Sequence, residues 1–236
     1  MNSTEIILAN VIVVVGSFLQ AATGLGGGLI MVPLLLMISF DFVPAAVLVA
    51  SFFLSLTMML EERDAIDKTN LSVIIVALLV GSFVGGLVLY NIAFEDFVHL
   101  FAWVLLFAVM ISLFPKSEKI PRPLILLASV ISGFMGTVAG VGAPLLALLF
   151  QFQKPKTIRA TLALLYVVSI VMMLSVLYVI NRFHWYEFSL GILLLPGIFI
   201  GWKLAPWVKP YIDQKRARVI ILLFVMATSL HLLLKY

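Results

Sequence analysis

From Ile6 to Phe40 the chain runs through 35 residues of which only Asn10 and Gln20 are strongly polar. As one α-helix this run would extend roughly 50 Å, well beyond the ~30 Å hydrocarbon core of a bilayer. It is interrupted by Gly24-Leu25-Gly26-Gly27-Gly28, and a second run, Pro123–Gln153, is interrupted by Gly140-Val141-Gly142-Ala143-Pro144. Glycine and proline weaken a helix interior, so both runs are expected to break at these positions. Six further apolar stretches read as ordinary spans: Phe42–Leu60, Leu71–Tyr90, Phe97–Phe114, Ala160–Ile180, Phe188–Trp202 and Val219–Leu234. Each is near the ~20 residues that cross a bilayer, the fifth being short unless it continues past Lys203. With 64% hydrophobic and 11% charged residues and a mean hydropathy of +1.22, the chain lies outside the soluble globular class.

Charge decides how the broken runs cross. If each crossed once, the Lys and Arg residues would divide 7 against 8 between the two faces. If each enters and returns to the same face, they divide 13 against 2. Basic residues gather in cytoplasmic loops, so the second arrangement is expected, with both termini outside and each broken run a hairpin turning on its glycines. The same rule accounts for the pI near 9.4 without nucleic acid, because the bases are scattered between spans. Residues 1–7 carry no basic n-region, so the first segment is expected to be retained. The chain has no Cys, which excludes disulfides and thiolate metal sites.

A shift of 116 residues superposes the halves: Phe18 meets Phe134, Gly24 meets Gly140, Gly26 meets Gly142, Gly81 meets Gly197 and Gly85 meets Gly201. Each half holds one hairpin and three spans, an odd number of net crossings, so the halves, 1–115 and 116–236, are expected to be inverted. The expected fold is an all-α polytopic membrane protein of two inverted repeats forming one transport domain. Each repeat is a Gly-broken hairpin, re-entrant or a short double crossing, plus three transmembrane helices. Inverted repeats with discontinuous helices mark secondary transporters, whose site lies near the midplane between the repeats.

Gly24-Leu25-Gly26-Gly27-Gly28-Leu29-Ile30-Met31-Val32-Pro33 resembles the glycine-rich motif of the TauE/SafE family, the sulfite-exporter-like permeases. Gly140-Val141-Gly142-Ala143-Pro144, followed by Arg159-Ala160-Thr161-Leu162-Ala163, is similar to its second-half counterpart, and Leu195-Pro196-Gly197 with Gly201 to the helix beyond. The resemblance covers nearly the whole chain. It implies transport of small anions linked to sulfur compounds, such as sulfite or sulfonates, at the cell (inner) membrane. One departure is Ala143-Pro144 where the first motif has two glycines, which makes the half-sites unequal.

Backbone without helical hydrogen bonds is tolerated at membrane depth only when buried in protein or lining a wet cavity. The two glycine turns therefore predict a cavity between the halves. Leu29–Phe40 and Leu145–Phe152 should leave those turns as helices whose N-termini favour an anion. The candidate substrate-binding residues are Gln20, Thr23, Gly24, Gly26, Gly27, Gly28, Thr137, Gly140, Gly142, Ala143, Pro144 and Arg159. Arg159 enters because a guanidinium holds an oxyanion bidentately; its plain alternative is an interface anchor beside Lys154 and Lys156. The plain alternative for the glycines is close helix packing, which is the expected role of Gly81, Gly85, Gly197 and Gly201 on unbroken spans. Lys203 is expected to snorkel, and Trp103, Trp185, Trp202 and Trp207 to form interfacial belts.

His99, His184 and His231 have no metal-ligand spacing, so neither metal nor cofactor is expected. No Asp or Glu sits mid-span, Glu61, Glu62 and Glu187 being nearest; this argues against a carboxylate proton relay and favours an anion that carries its own proton, or facilitated diffusion. An intramembrane enzyme lacks its nucleophile–base pair. The expected partners are a small anion and the lipid bilayer, without nucleic acid, and homo-oligomerisation stays open. The alternatives that remain are an anion channel, a uniporter of unrelated cargo, and a structural membrane subunit.

Overall fold

The computed structural model describes residues 2–23, 27–92, 94–112, 121–150, 153–208 and 214–235. Among the described residues every regular element is helical. They are α1 (Ser3–Thr23), α2 (Gly27–Ile38), α3 (Ala45–Glu62), α4 (Leu71–Asn91), α5 (Phe94–Ser112), α6 (Arg122–Ala139), α7 (Ala143–Phe150), α8 (Pro155–Val179), α9 (Trp185–Leu193), α10 (Leu195–Val208) and α11 (Gln214–Lys235). Single 3-10 turns, Phe40–Phe42 and Arg63–Ala65, flank α3. Among the described residues six stretches are long and apolar enough to cross a membrane: α1, α3 with its following turn, α4, α6, α8, and α9–α10 taken together.

Both long apolar runs break at their glycines and double back. α2 returns along α1, so that Gly16 faces Met31 and the Gly27 carbonyl, and Gly27 faces Gln20. In the second run α6 ends at Gly140, whose φ of +68° is the left-handed conformation glycine adopts most readily. Its N–H closes the helix on the Gly136 carbonyl at 2.8 Å. α7 then turns back on α6, with the Ser132 hydroxyl donating to the Gly142 carbonyl. The hairpins are more lopsided than a symmetric loop. α1 has 21 residues and α6 has 18, roughly a full crossing each, whereas α2 has 12 and α7 has 8, about 18 Å and 12 Å.

The connections gather at two ends. At one, the Asp67 amide donates to the Thr161 hydroxyl at 2.9 Å, Arg159 pairs with Glu62, and the Trp202 indole donates to Glu61 at 3.2 Å. At the other, the Tyr186 hydroxyl donates to Asp41 at 3.0 Å, and Asp41, Ile92, Arg182 and His184 surround one pocket. The back-folded arrangement requires this grouping; single crossings would put residues 61–70 and 153–159 on opposite faces.

α3 forms the centre. Ala45 through Ala50 are all buried, so the helix is apolar around its whole circumference there and is enclosed by protein. It packs on α8 in the antiparallel sense: Glu62 at the end of α3 meets Arg159 at the start of α8, while Ala45 and Leu177 line the pocket at the far end. Around this pair α4 packs on α6, and α10 on α1. The four glycines expected to permit close packing lie at these contacts. Gly81 and Gly85 face the backbone of Val130 and Phe134; Gly197 and Gly201 face that of Asn10 and Val14. Outward positions such as Val76, Phe83 and Leu87 on α4 are exposed apolar side chains, as a lipid-facing surface requires.

One span differs from expectation. The stretch read as Phe188–Trp202 is two helices, broken at Leu194, so Gly197 and Gly201 lie beyond a break and not on an unbroken span. Pro196 has no N–H to continue the ladder, and the Asn10 side chain occupies the gap. Its amide nitrogen donates to the Leu193 carbonyl at 3.0 Å, and its oxygen accepts from the Gly197 N–H at 2.9 Å. A neighbour's amide thus stands in for the missing helical bond.

Candidate functional site

The two breaks approach one another. A Cβ on Gly28 would lie 3.3 Å from the Gly140 carbonyl, and one on Gly142 would lie 2.6 Å from the Ser132 carbonyl. Between the breaks and the α3–α8 seam lies a cavity of about 50 Å³. A water needs roughly 10–15 Å³ measured this way, so the space takes a few waters or one small oxyanion. Gln20, Gly28, Gly140 and Gly142 line it, together with Ser51 and Ser55 from α3, Ser132 from α6, and Tyr166 and Ser169 from α8.

Two of these groups stand out. Ser55 is fully buried and, among the described residues, its hydroxyl has no hydrogen-bond partner; the buried Tyr166 hydroxyl has none either. Their neighbours are engaged, Ser169 donating to the Tyr166 carbonyl at 3.2 Å and Ser132 to Gly142. Buried hydroxyls are almost always paired, and leaving one unpaired costs about 1–3 kcal/mol. Two unpaired hydroxyls lining one cavity, one from α3 and one from α8, are therefore its main chemical feature. Among the described residues, each cavity-lining side chain is neutral.

The expected residues divide into three groups. Gln20, Gly28, Gly140 and Gly142 line the cavity, and Gly27 opens α2 packed against Gln20. Ala143 and Pro144 open α7, while Gly24 and Gly26 lie outside the described residues. Thr23 and Thr137 turn their hydroxyls back to their own helices, to the Leu19 carbonyl at 2.7 Å and the Gly133 carbonyl at 3.1 Å.

Arg159 is set apart from the cavity. It is 8% exposed, and its guanidinium grips Glu62 with two nitrogens, Nε at 3.1 Å from one carboxylate oxygen and Nη2 on the other. That fork is the bidentate grip expected for an oxyanion, here taken up by the protein's own carboxylate. The pair lines a separate pocket of about 80 Å³ with Glu61, Trp202 and Pro206. Glu62 and Ser55 are seven residues apart on α3, as are Arg159 and Tyr166 on α8, so ion pair and hydroxyls share one seam about two turns apart.

Beside the ion pair, Asp67 accepts from the Thr69 amide at 2.8 Å and from the Gln153 side chain. Partial burial pushes its carboxyl up, but the bonds from Thr69 and Gln153 outweigh this and hold it below its ordinary value. At the opposite end of the seam, a pocket of about 210 Å³ opens among Phe40, Pro44, Ala45, Leu177 and Arg182. Its floor, Ala45 and Leu177, lies one turn from Leu48 and Met173 of the central cavity. Along the seam lie the Arg182 pocket at one end, the hydroxyl-lined cavity, and the Arg159–Glu62 pair at the other end. Among the described residues no cluster of His, Asp or Glu has metal-site geometry.

Ser51, Ser55, Tyr166 and Ser169 were not singled out from the sequence. The available signal was spacing, since Ser51 and Ser55 at i,i+4 and Tyr166 and Ser169 at i,i+3 each share a helix face.

Residues 8–232 match the family model described as Sulfite exporter TauE/SafE. No curated protein and no solved structure matches the chain.

Proposed function

Since the chain belongs to the sulfite exporter TauE/SafE family, a family of membrane permeases, we propose that it carries a small sulfur-containing anion, sulfite or an organosulfonate, by alternating access at the central cavity. The observation that carries this reading is the cavity itself, formed where two broken helices from opposite halves meet and lined by hydroxyls and glycine backbone. A helix start contributes about 0.3–2 kcal/mol to a nearby anion, and each hydrogen bond to a charged group about 1.5–3 kcal/mol. Two hydroxyls with the starts of α2 and α7 together reach the several kcal/mol that desolvating one ion costs.

Cross-half packing of α4 on α6 and α10 on α1, and the antiparallel α3–α8 pair at the centre, support two inverted repeats, 1–115 and 116–236. The 13-to-2 partition of basic residues supports an inner-membrane orientation with both termini outside and the Arg159–Glu62 end in the cytoplasm. A reporter fused after Tyr236 should then read as external.

Purified protein in liposomes should take up labelled sulfite or a sulfonate, and unlabelled anion on the far side should accelerate that uptake. Uptake without trans-acceleration would indicate a channel. Absence of uptake for every sulfur anion would overturn the cargo assignment.

A further inference from the structure

Deepening the reading of this cavity as the transport site, we infer that it selects singly charged oxyanions, held by the Ser55 and Tyr166 hydroxyls, over doubly charged ones. Both hydroxyls are buried, unpartnered among the described residues and on the cavity wall. A hydroxyl whose own helix does not take its proton is a donor kept for something else. Ser129 and Ser175, by contrast, each donate to the carbonyl four residues back, at 2.8 Å. Ser55 on α3 and Tyr166 on α8 approach the space from two helices, so one bound oxyanion with two or more oxygens can accept from both.

Charge sets the class. Among the described residues every lining side chain is neutral, and the nearest cation on the seam, Arg159, is held two turns away by Glu62. The cost of bringing an ion from water into a low-dielectric site grows with the square of its charge, so a dianion costs about four times as much as a monoanion of the same size. Neutral donors and helix starts offset one charge but have nothing to match a second. The permitted class is therefore alkanesulfonates and hydrogensulfite, with sulfite dianion and sulfate excluded. Hydrogensulfite brings its proton with it, so net proton movement follows sulfite without any carboxylate in the cavity.

The test uses the full-length protein in liposomes with labelled methanesulfonate, sulfite and sulfate at a series of pH values around neutrality. Methanesulfonate flux should be independent of pH, sulfite flux should fall as pH rises in step with the hydrogensulfite fraction, and sulfate should not be carried. Tyr166→Phe and Ser55→Ala should each raise the half-saturating methanesulfonate concentration about ten-fold. Ser175→Ala, which removes a hydroxyl already bonded within α8 and away from the cavity, should leave it unchanged. The shift of thermal unfolding by methanesulfonate in detergent reads binding separately from transport, and should shrink in the same two variants. Sulfate carried as well as methanesulfonate, or both hydroxyl variants binding like wild type, would overturn this inference while leaving the permease reading standing. A wild-type protein that carries none of the three would overturn both.

Discussion

Hydroxyls in apolar helices are ambiguous one residue at a time. Ser17, Thr57, Ser129 and Ser175 all return a proton to a carbonyl four residues back, which satisfies them without any partner. Nothing local distinguishes Ser55 from these, yet among the described residues its hydroxyl finds no partner. Arg159 presents the same difficulty in another form. Its position before a long apolar span marks it as a significant cation, but its partner, Glu62, is 97 residues away. The pair can be tested as a pair. Removing one member of this partly buried ion pair leaves the other charge uncompensated, at a cost of about 1–3 kcal/mol. Glu62→Gln and Arg159→Gln should each lower thermal stability in detergent, and the reciprocal swap Glu62→Arg with Arg159→Glu should recover most of the loss. If either single variant is as stable as wild type, the pair does not hold the two halves together at that end.

At the scale of elements, the breaks were the most legible feature. Glycine runs in stretches too long for one crossing marked the breaks, the partition of basic residues made each broken run a hairpin, and α1–α2 and α6–α7 are hairpins. The unequal arms were legible too: the glycines fall late in each run and leave Leu29–Phe40 and Leu145–Phe152 as short returns, and α2 and α7 are short helices of 12 and 8 residues. The division of α9 from α10 was not foreseen, although Pro196 was in view. Proline alone kinks a helix; the separation here also involves Asn10, contributed from α1 some 187 residues away. Asn10→Leu should leave the Leu193 carbonyl and the Gly197 N–H without that partner, destabilising the protein by about 1–3 kcal/mol. Asn10→Asp keeps the acceptor for Gly197 and loses the donor to Leu193, so it should fall between. Unfolding midpoints in detergent check the order; an Asn10→Leu protein as stable as wild type would show that the amide bridge contributes nothing.

Across the whole molecule, the distribution of charge said more about connectivity than any motif. The partition of bases separated two connectivities that apolar patterning could not, and the ends of the structure group as that partition requires. The candidate site was only half legible: the glycine breaks identified where a cavity forms, while its chemistry came from α3 and α8, spans that read as ordinary. On the proposed reading this cavity is the transport path, reached alternately from the Arg182 pocket and from beyond the Arg159–Glu62 pair. The chain contains no cysteine, so one introduced thiol reports without background. Ser51→Cys lines the cavity one turn from Ser55 and leaves both proposed donors intact. A membrane-impermeant thiol reagent should label it from either side of the membrane in turn, and saturating methanesulfonate should slow labelling from both. Continued transport by the Ser51→Cys protein with position 51 unreachable from either side, or labelling indifferent to the anion, would contradict the account.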